Sequence, residues 1–256
     1  SVMKIFGTDG IRGKFGDKFI TPDYFLKIGL AIGAWLKPGQ KVIIGKDTRL
    51  SGYILESSLE AGLASMGVDV YLTGPLPTPA IAYLTKSLRA HAGIVISASH
   101  NPFNDNGIKV FNDQGMKITP EQQQIIVENL GKAQRLHTKS LGKAYRVHDA
   151  LGRYVEYIKN QFDFLDLKGI KIALDCAHGA SYQAAPTLFS ELNCDIIVRG
   201  NEPNGYNINS DAGAMHPDKI YQLAQNSETD LGFSFDGDGD RLVVYYRGRI
   251  IPSEYI

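Results

Sequence analysis

Short runs of β-branched and apolar residues alternate with longer amphipathic runs along most of this chain. That alternation is typical of parallel strands joined by crossover helices, so it predicts an α/β fold. The predicted strands cover residues 41–45, 68–72, 92–97, 106–112, 170–175, 195–198, 231–235 and 242–246. The predicted helices cover residues 51–66, 78–86, 152–161 and 180–192, and two more begin near Pro120 and Pro217, where proline suits the first turn.

The length and one polar segment together predict two domains. A chain of 256 residues with 43% hydrophobic residues fits two domains of ordinary size better than one large core. Residues 132–146 are polar, basic and without clear periodicity, which is typical of an interdomain linker. We therefore expect two tandem α/β domains, residues 1–150 and 151–256, with mixed, mostly parallel sheets and an active site in the cleft between them. No internal repeat is evident in the sequence.

Each half contains one predicted strand that runs directly into a polar loop. The strand at 92–97 leads into residues 99–106, and the strand at 231–235 leads into residues 236–241. Ligands of open α/β sheets bind outside the carboxyl ends of the strands. Both loops therefore lie where chemistry is expected.

The second loop has the sequence DGDGDR, in which aspartate and glycine alternate. Glycine lets the backbone curl tightly, so Asp236, Asp238 and Asp240 can converge on one cation. Ligation by oxygen alone favours Mg²⁺, Ca²⁺ or Mn²⁺ over zinc. An acidic surface turn is the alternative, and an EF-hand loop fits poorly because Arg241 replaces its glycine and Arg247 its glutamate.

The first loop contains Ser99 within SASHNP, with His100 beside it and Lys109 further along. A serine in a strand-to-loop turn with these neighbours can be a nucleophile or a phosphate carrier. An ordinary Ser/Asn/Pro turn is the alternative. A Ser-His-Asp hydrolase is not favoured, since the Gly-x-Ser-x-Gly elbow is absent and the adjacent histidine is not placed for hydrogen bonding by that template.

A third motif, FGTDGIRG, is a glycine-punctuated turn with one cation, Arg12. The planar fork of Arg12 could hold a phosphate, although a surface arginine explains the turn equally well. Gly45-Lys46-Asp47 does not fit a P-loop, because Gln40 and Asp47 stand where glycine and Ser or Thr are required. We therefore predict no nucleotide site there.

Charge and cysteine content limit the partners. Lys plus Arg and Asp plus Glu both number 27, so no extended basic surface is implied, and we expect no nucleic-acid partner. A small phosphorylated ligand needs only a local cluster of cations. Cys176 and Cys194 adjoin apolar runs, which indicates buried free thiols and a reducing compartment. No run is long enough to span a bilayer, so we expect no membrane partner and a cytoplasmic protein.

Five motifs in fixed order add a resemblance to a known family. They are FGTDGIRG, GKDTRLSG, ISASHNPFNDNGIK, DCAHGA and FDGDGDR, and they closely resemble the landmarks of the α-D-phosphohexomutases. The resemblance covers essentially the whole chain. FGTDGIRG, SASHNP and EPNGYNIN…GAMHP are more similar to the branch that acts on glucosamine phosphates than to phosphomannomutase/phosphoglucomutase.

The resemblance implies a phosphoserine mechanism. Ser99 would carry a phosphoryl group and give it to a hexosamine phosphate, and a bisphosphorylated sugar would then turn around and return the other group. Glucosamine 6-phosphate and glucosamine 1-phosphate would thereby interconvert, with glucosamine or glucose 1,6-bisphosphate as intermediate or activator. Mg²⁺ would be held by Asp236, Asp238, Asp240 and an oxygen on Ser99.

The remaining roles follow from the same resemblance. Lys109 matches the lysine assigned to proton transfer, and its pKa would have to fall toward neutrality for it to act as a base. Arg12 and Arg241 match positions near the phosphoserine, and with Asn101 and Lys109 they are expected to bind phosphate. His100 is expected beside the reacting group.

The extent of the chain differs from the family pattern. Members of the family have four domains, and residues 250–256 end in apolar residues without a terminating signal, so we expect domains III and IV to be absent and the fragment to be poorly active. A homodimer is compatible with the sequence but is not predicted by it. Phosphomannomutase/phosphoglucomutase activity and a non-catalytic metal or sugar-phosphate-binding module remain alternatives. A phosphatase is a third alternative, although this chain has no nucleophilic aspartate in a D-x-D segment that opens a helix.

Overall fold

The computed structural model describes residues 10–133 and 138–252, apart from the side chain of Pro252. Residues 6–9 of the FGTDGIRG motif, residues 134–137 of the predicted linker and residues 253–256 lie outside this range. The described chain forms two mixed sheets with helices on both faces, and parallel strand pairs outnumber antiparallel ones. The predicted α/β fold class is confirmed.

The first sheet has six strands in the order β1-β5-β4-β2-β3-β6. Its unit comprises β1 (Ile11–Lys14), α1 (Pro22–Trp35), β2 (Lys41–Lys46), α2 (Leu50–Ser65), β3 (Asp69–Pro75), α3 (Thr78–Ser87), β4 (Ala92–Ile96), β5 (Asp105–Asn112), α4 (Pro120–Gly131) and β6 (Ala144–Arg146). Strand β5 runs antiparallel to both β1 and β4, and the other pairs are parallel.

The second sheet has five strands in the order β11-β10-β9-β7-β8. Its unit comprises α5 (Ala150–Gln161), β7 (Lys171–Asp175), α6 (Ala184–Glu191), β8 (Asp195–Arg199), α7 (Pro217–Asn226), β9 (Leu231–Phe235), β10 (Leu242–Tyr246) and β11 (Arg249–Pro252). Strand β10 is antiparallel to β9 and β11, whereas β7 is parallel to β8 and β9.

The two sheets share a strand order that the sequence did not reveal. In the first sheet β5-β4-β2-β3 lie side by side, and in the second β10-β9-β7-β8 do, with the same parallel and antiparallel pairs. Strands β4 and β9, which both lead into polar loops, are therefore at equivalent positions. The repeat is one of topology, which can persist when the side chains that would mark it in a sequence differ.

Four elements were not predicted. Strand β1 lies in the segment interpreted as a turn, β6 in the segment interpreted as a linker, and β11 at the apolar end. Each of them is a short strand at the edge of its sheet. Such strands have too few residues to show alternation, and backbone pairing with a neighbour forms them. Helix α1 was also missed, although Thr21 caps it by accepting from the Tyr24 N–H and Pro22 occupies its first turn.

Apolar clusters cover both faces of each sheet. One cluster packs α1, α2 and α4 against the first sheet, and a second lies under α3 and includes Ala150 of α5. Helix α5 also contacts α6, and the ring of its Tyr157 stacks on Tyr83 of α3 with 3.9 Å between centroids. Helix α5 therefore packs against helices of both units.

Two further predictions concern cysteine and membranes. Cys176 and Cys194 are free and buried, as expected. Burial raises the pKa of both thiols. Across the described part of the chain, no helix combines the length and the apolar composition that crossing a bilayer requires.

Candidate active site

The two polar loops meet in space. Ser99 follows β4 in the first unit, Asp236 follows β9 in the second, and the Ser99 Oγ donates a hydrogen bond of 2.6 Å to the Asp236 Oδ2. The two residues are 137 positions apart, and both are buried. The site therefore lies between the two units, formed by equivalent ends of two similar sheets.

Close backbone packing makes this approach possible. A Cβ on Gly237 would lie 2.4 Å from the Ser99 carbonyl oxygen, so the second loop touches the first without an intervening side chain. Ser99 itself adopts φ of 54°, a left-handed conformation that is uncommon for a residue other than glycine. Surrounding contacts must hold such a residue in place.

The second loop gathers the three predicted carboxylates. Oxygen atoms of Asp236, Asp238 and Asp240 all lie within 4.8 Å of one another, with Asp236 and Asp238 buried and Asp240 exposed. The Asp238 Oδ1 is buried and has no hydrogen-bond partner in the described residues. A buried carboxylate oxygen without a partner is costly, and a bound hard cation would satisfy it. The donor set therefore fits Mg²⁺ or a similar ion.

Burial, neighbouring charges and hydrogen bonds shift the pKa values of Asp236 and Asp238 in opposite directions. Burial raises the pKa of Asp236 to about 8, and the charges of Asp238 and Asp240 push the same way. Burial also acts to raise the pKa of Asp238, but the nearby Lys109 ammonium and hydrogen bonds outweigh it and leave that pKa below its usual value.

Lys109, from β5, joins the two units at this point. Its Nζ donates to the Asp238 Oδ2 over 3.0 Å and to the Asp240 Oδ2 over 3.2 Å. Burial acts to lower the pKa of Lys109, but the two carboxylates overcome that effect, so the pKa lies above its ordinary value. The carboxylates stabilise the ammonium form, so the described residues move the Lys109 pKa away from the neutral value that a base role would require.

The other predicted residues surround the same loops. Burial lowers the pKa of His100, and the charges of Arg241 and Arg12 lower it further, so both arginines lie within electrostatic reach of that imidazole. The Arg12 Nε and the His100 Nδ1 are buried and unpartnered among the residues described. The backbone N–H of Arg241 donates to the Asp236 Oδ1 over 3.1 Å. The Asn101 Nδ2 donates a hydrogen bond to the Asp105 Oδ2 over 3.1 Å.

Two residues that sequence reasoning did not select also join the loops. Thr78 donates from its hydroxyl to the Asp238 Oδ2 over 2.8 Å and from its N–H to the Asp238 carbonyl oxygen over 2.7 Å. The Asn209 amide donates to the carbonyl oxygens of Ser99 and Asn101 over 2.9 and 3.0 Å. Asn209 lies within the quoted EPNGYNIN motif, but a motif string does not show which of its members reaches another unit.

Comparisons with known families agree with this geometry. The family described as phosphoglucomutase/phosphomannomutase, alpha/beta/alpha domain I, matches residues 3–137, and the corresponding domain II matches residues 152–248. The chain therefore belongs to the phosphoglucomutase/phosphomannomutase family.

Individual relatives support the same assignment. A phosphoglucosamine mutase of Halorhodospira halophila is 51% identical over 97% of this chain and 56% of its own length. One of Acinetobacter baumannii is 52% identical over 99% of this chain and 59% of its own length. A crystal structure of a phosphoglucomutase/phosphomannomutase family protein from Burkholderia thailandensis has a TM-score of 0.84 at 30% identity, over 98% of this chain and 56% of that one. The chain thus spans less than two thirds of the length of these relatives.

Proposed function

We propose that this chain carries the phosphoryl-transfer part of a phosphoglucosamine mutase, with Ser99 as the phosphoryl carrier. The observation that supports this most directly is the 2.6 Å hydrogen bond from the Ser99 Oγ to Asp236 within a cluster of three carboxylates. A buried hydroxyl held against a potential metal site fits phosphoryl transfer, which depends mainly on alignment and on charge stabilisation. Phosphoglucosamine mutase is also the name of both relatives that are about half identical to this chain.

The proposed metal ligands are Asp236, Asp238 and Asp240, with Ser99 beside them. The convergence of their oxygens within 4.8 Å and the unpartnered Asp238 Oδ1 support this assignment. Bound Mg²⁺ would supply electrostatic stabilisation to the charge on a phosphoryl group at Ser99. Thr78 and Lys109 hold Asp238 from the first unit, so both units orient the ligand set.

The cationic residues at this site are proposed to bind phosphate and to move a proton. Arg12 and Arg241 would contact phosphoryl oxygens, and the Arg12 Nε, which has no hydrogen-bond partner among residues 10–133 and 138–252, offers a donor for that purpose. Lys109 holds a proton at its Nζ beside Asp238 and Asp240 and is assigned to proton exchange with the sugar oxygen. His100 and Asn101 complete the surroundings of Ser99, and Asp105 orients the Asn101 amide.

In the proposed reaction, the enzyme and the sugar together keep the same number of phosphoryl groups throughout. Phosphoserine at Ser99 gives its phosphoryl group to a hydroxyl of glucosamine 6-phosphate. The bond from phosphorus to the Ser99 Oγ breaks, a bond from phosphorus to the sugar oxygen forms, and the proton that the sugar hydroxyl gives up is returned to the Ser99 Oγ. The bisphosphorylated sugar turns around and returns its other phosphoryl group to the Ser99 Oγ, so glucosamine 1-phosphate leaves and phosphoserine is regenerated. Glucosamine or glucose 1,6-bisphosphate would load the serine initially.

The proposed division of labour follows the two units. Residues 1–150 would supply the phosphoserine and residues 151–256 the metal loop, while contacts to the remote parts of the sugar would come from the part of its relatives' length that this chain does not span. Binding energy from remote groups is used to orient the reacting centre, so this chain alone should turn over poorly.

Phosphoryl labelling tests the proposal. Full-length protein is incubated with Mg²⁺ and glucose 1,6-bisphosphate labelled in its phosphoryl groups, and peptide mass analysis locates the label. We expect label on Ser99 and none in Ser99→Ala. The matched control Ser57→Ala, which removes an exposed hydroxyl on α2, should label normally.

Three outcomes separate the alternatives. Normal activity in Ser99→Ala would overturn the carrier role. Metal binding without any labelling would favour a non-catalytic binding module, and steady release of inorganic phosphate would favour a phosphatase. Faster turnover of mannose or glucose phosphates than of glucosamine 6-phosphate would assign the phosphomannomutase/phosphoglucomutase branch instead.

A further inference from the structure

A fully buried ion pair lies beneath the Ser99 loop and has no part in the chemistry described so far. Asp47 and Arg49 follow β2 in the GKDTRLSG motif, and neither side chain is exposed to solvent. The Arg49 Nη1 contacts the Asp47 Oδ2. A buried ion pair is weak evidence for stability, because desolvation offsets the attraction between the charges. The contacts of the pair indicate a second role.

The guanidinium of Arg49 holds the backbone of the serine loop. It donates to the carbonyl oxygens of Asn101 over 2.6 Å, Pro102 over 3.4 Å and Ser99 over 3.5 Å. Arginine has five donors in one rigid plane, so a single side chain can span three carbonyl groups. Lysine carries the same charge but cannot reproduce this fork.

The carboxylate of Asp47 holds the same loop through Ser97. The Ser97 Oγ donates to the Asp47 Oδ2 over 2.5 Å and accepts the Ser99 N–H over 2.9 Å. Ser99 is therefore fixed at its N–H through Asp47, and at its carbonyl oxygen by Arg49 together with the closer Asn209 amide. These are the two peptide groups that flank its left-handed φ of 54°.

We propose that Asp47 and Arg49 are positioning residues that hold Ser99 in this strained conformation, so that its Oγ points at Asp236. The inference deepens the proposed function and rests on it. Strained backbone persists where the surroundings determine it from several sides, and the pair supplies contacts on both sides of Ser99. Neither residue touches the reacting atoms; both act through the serine loop.

The test measures phosphoryl transfer in full-length protein carrying Arg49→Lys or Asp47→Asn. Displacing a reacting atom by about 1 Å can cost about 10²-fold in rate, so we expect kcat and the rate of Ser99 labelling by glucose 1,6-bisphosphate to fall about 10²-fold. The KM for sugar phosphate should change little, because these residues lie beneath the loop. Arg49→Lys should fail to rescue although it keeps the charge.

The matched control is Glu56→Gln. It breaks the buried Lys46–Glu56 pair, whose 2.9 Å contact joins β2 to α2 in the same unit. A loss of stability without a loss of kcat is expected there. An equal fall in kcat in Glu56→Gln, or wild-type kcat in Arg49→Lys, would overturn the positioning role.

Amide hydrogen exchange distinguishes failure of this inference from failure of the proposed function. The Ser99 N–H should be protected in wild type and in Glu56→Gln, and should exchange at least tenfold faster in Arg49→Lys and Asp47→Asn. Wild-type protein that takes no label would reject the proposed function, yet the exchange data would still decide whether the pair holds the loop. Unchanged Ser99 protection in both variants would reject the inference. Should Asp47→Asn fail to fold, Arg49→Lys alone decides.

Discussion

The loops after β4 and after β9 occupy equivalent places in two sheets of the same strand order, yet they have different chemistry. Ser97 and Ser234 are both buried serines at the ends of these strands, beside Asp47 and Asp175 of the neighbouring strand or its end. Two residues after each serine comes the group that reaches the other unit, Ser99 or Asp236. One scaffold position therefore supplies a hydroxyl in one unit and a carboxylate in the other.

The paired aspartates show how far the likeness extends. Asp47 accepts the N–H of Arg49 over 2.9 Å, and Asp175 accepts the N–H of Ala177 over 3.0 Å, in each case two residues onward. Both carboxylates bind a guanidinium, Asp47 that of Arg49 and Asp175 that of Arg199 over 2.7 Å. Beyond these shared contacts the partners differ. Asp175 also accepts from the Gly213 N–H over 2.9 Å, whereas Asp47 accepts from Ser97 and through it holds the serine loop.

The difference lies in how each loop is fixed. Side-chain hydrogen bonds hold the serine loop, since Ser97 bridges Asp47 and the Ser99 N–H. The corresponding Ser234 Oγ is buried without a partner in the part of the chain described, so the metal loop lacks this bridge. Thr78 and Lys109 of the other unit hold its Asp238, and Gly237 packs against the Ser99 backbone. A nucleophile needs a fixed direction, whereas several ligands on a short loop need close approach and a tight curl.

The largest expected effect concerns the two loops separately, because Mg²⁺ binding is assigned to the loop after β9 and the phosphoryl group to Ser99. Asp238→Asn removes a buried charge from the carboxylate cluster, so we expect phosphoryl transfer to fall about 10³-fold and Mg²⁺ affinity to weaken. Ser99→Ala should abolish phosphoryl labelling but leave Mg²⁺ binding intact. Isothermal titration with Mg²⁺ and the labelling assay measure the two effects separately.

The control for that pair is Asp230→Asn, an exposed aspartate of the second unit. It should alter neither Mg²⁺ binding nor transfer. Unchanged Mg²⁺ affinity in Asp238→Asn would contradict the assignment of the metal to the second loop.

A smaller effect is expected where the two loops touch. In Gly237→Ala the new methyl group would meet the Ser99 carbonyl oxygen at 2.4 Å and the Asn209 Nδ2 at 2.8 Å. We expect the free energy of unfolding to fall by about 2–3 kcal/mol, as is usual for overpacking, with a loss of transfer because the loops separate. Urea unfolding and the labelling assay provide the measurements.

Gly152→Ala is the matched control for the glycine change. Gly152 lies in α5 with no neighbour within 4 Å of an added Cβ, so no destabilisation is expected there. Equal stability of the two variants would show that the loops do not depend on close backbone contact.

The smallest effect compares the equivalent serines. Ser97→Ala removes one donor to Asp47 and the acceptor of the Ser99 N–H, and should cost about 1–2 kcal/mol in unfolding free energy. Ser234→Ala removes a hydroxyl that has no hydrogen bond in the described structure and should be neutral or slightly stabilising. Urea midpoints at constant slope give both values. Equal losses would mean that the two loops are fixed alike.

Sequence reasoning worked best where the signal was local. The strands at 231–235 and 242–246 agree with the structure to the residue, and helices α4 and α7 begin at the predicted prolines. Helix α6 was predicted from residue 180 but begins at Ala184, and the Ala180 N–H bonds the Gly237 carbonyl oxygen of the metal loop. That contact belongs to another part of the chain and leaves no mark near residue 180.

The residues of the candidate site also fall into those that local sequence identified and those that only contacts between distant residues reveal. The sequence singled out Ser99 and the three aspartates, because their residue types and spacing carry chemical meaning within a few positions. Thr78 and Asn209 were not selected, since a threonine at the start of a helix or an asparagine in a polar loop is common on any surface. The sequence also did not show which way the pKa of Lys109 moves in the described structure, because that depends on carboxylates 129 and 131 positions away.

The sequence by itself determined the α/β class, most of the strands, the two polar loops and the family, because hydrophobic period, turn residues and motif order are properties of neighbouring residues. Tertiary structure decided that the two sheets repeat one strand order, that Ser99 lies against Asp236, and that Arg49 and Asp47 lie beneath the serine. These facts depend on contacts across 50 to 137 positions, which chain folding alone creates. Burial and charge at such contacts then set each group's chemistry.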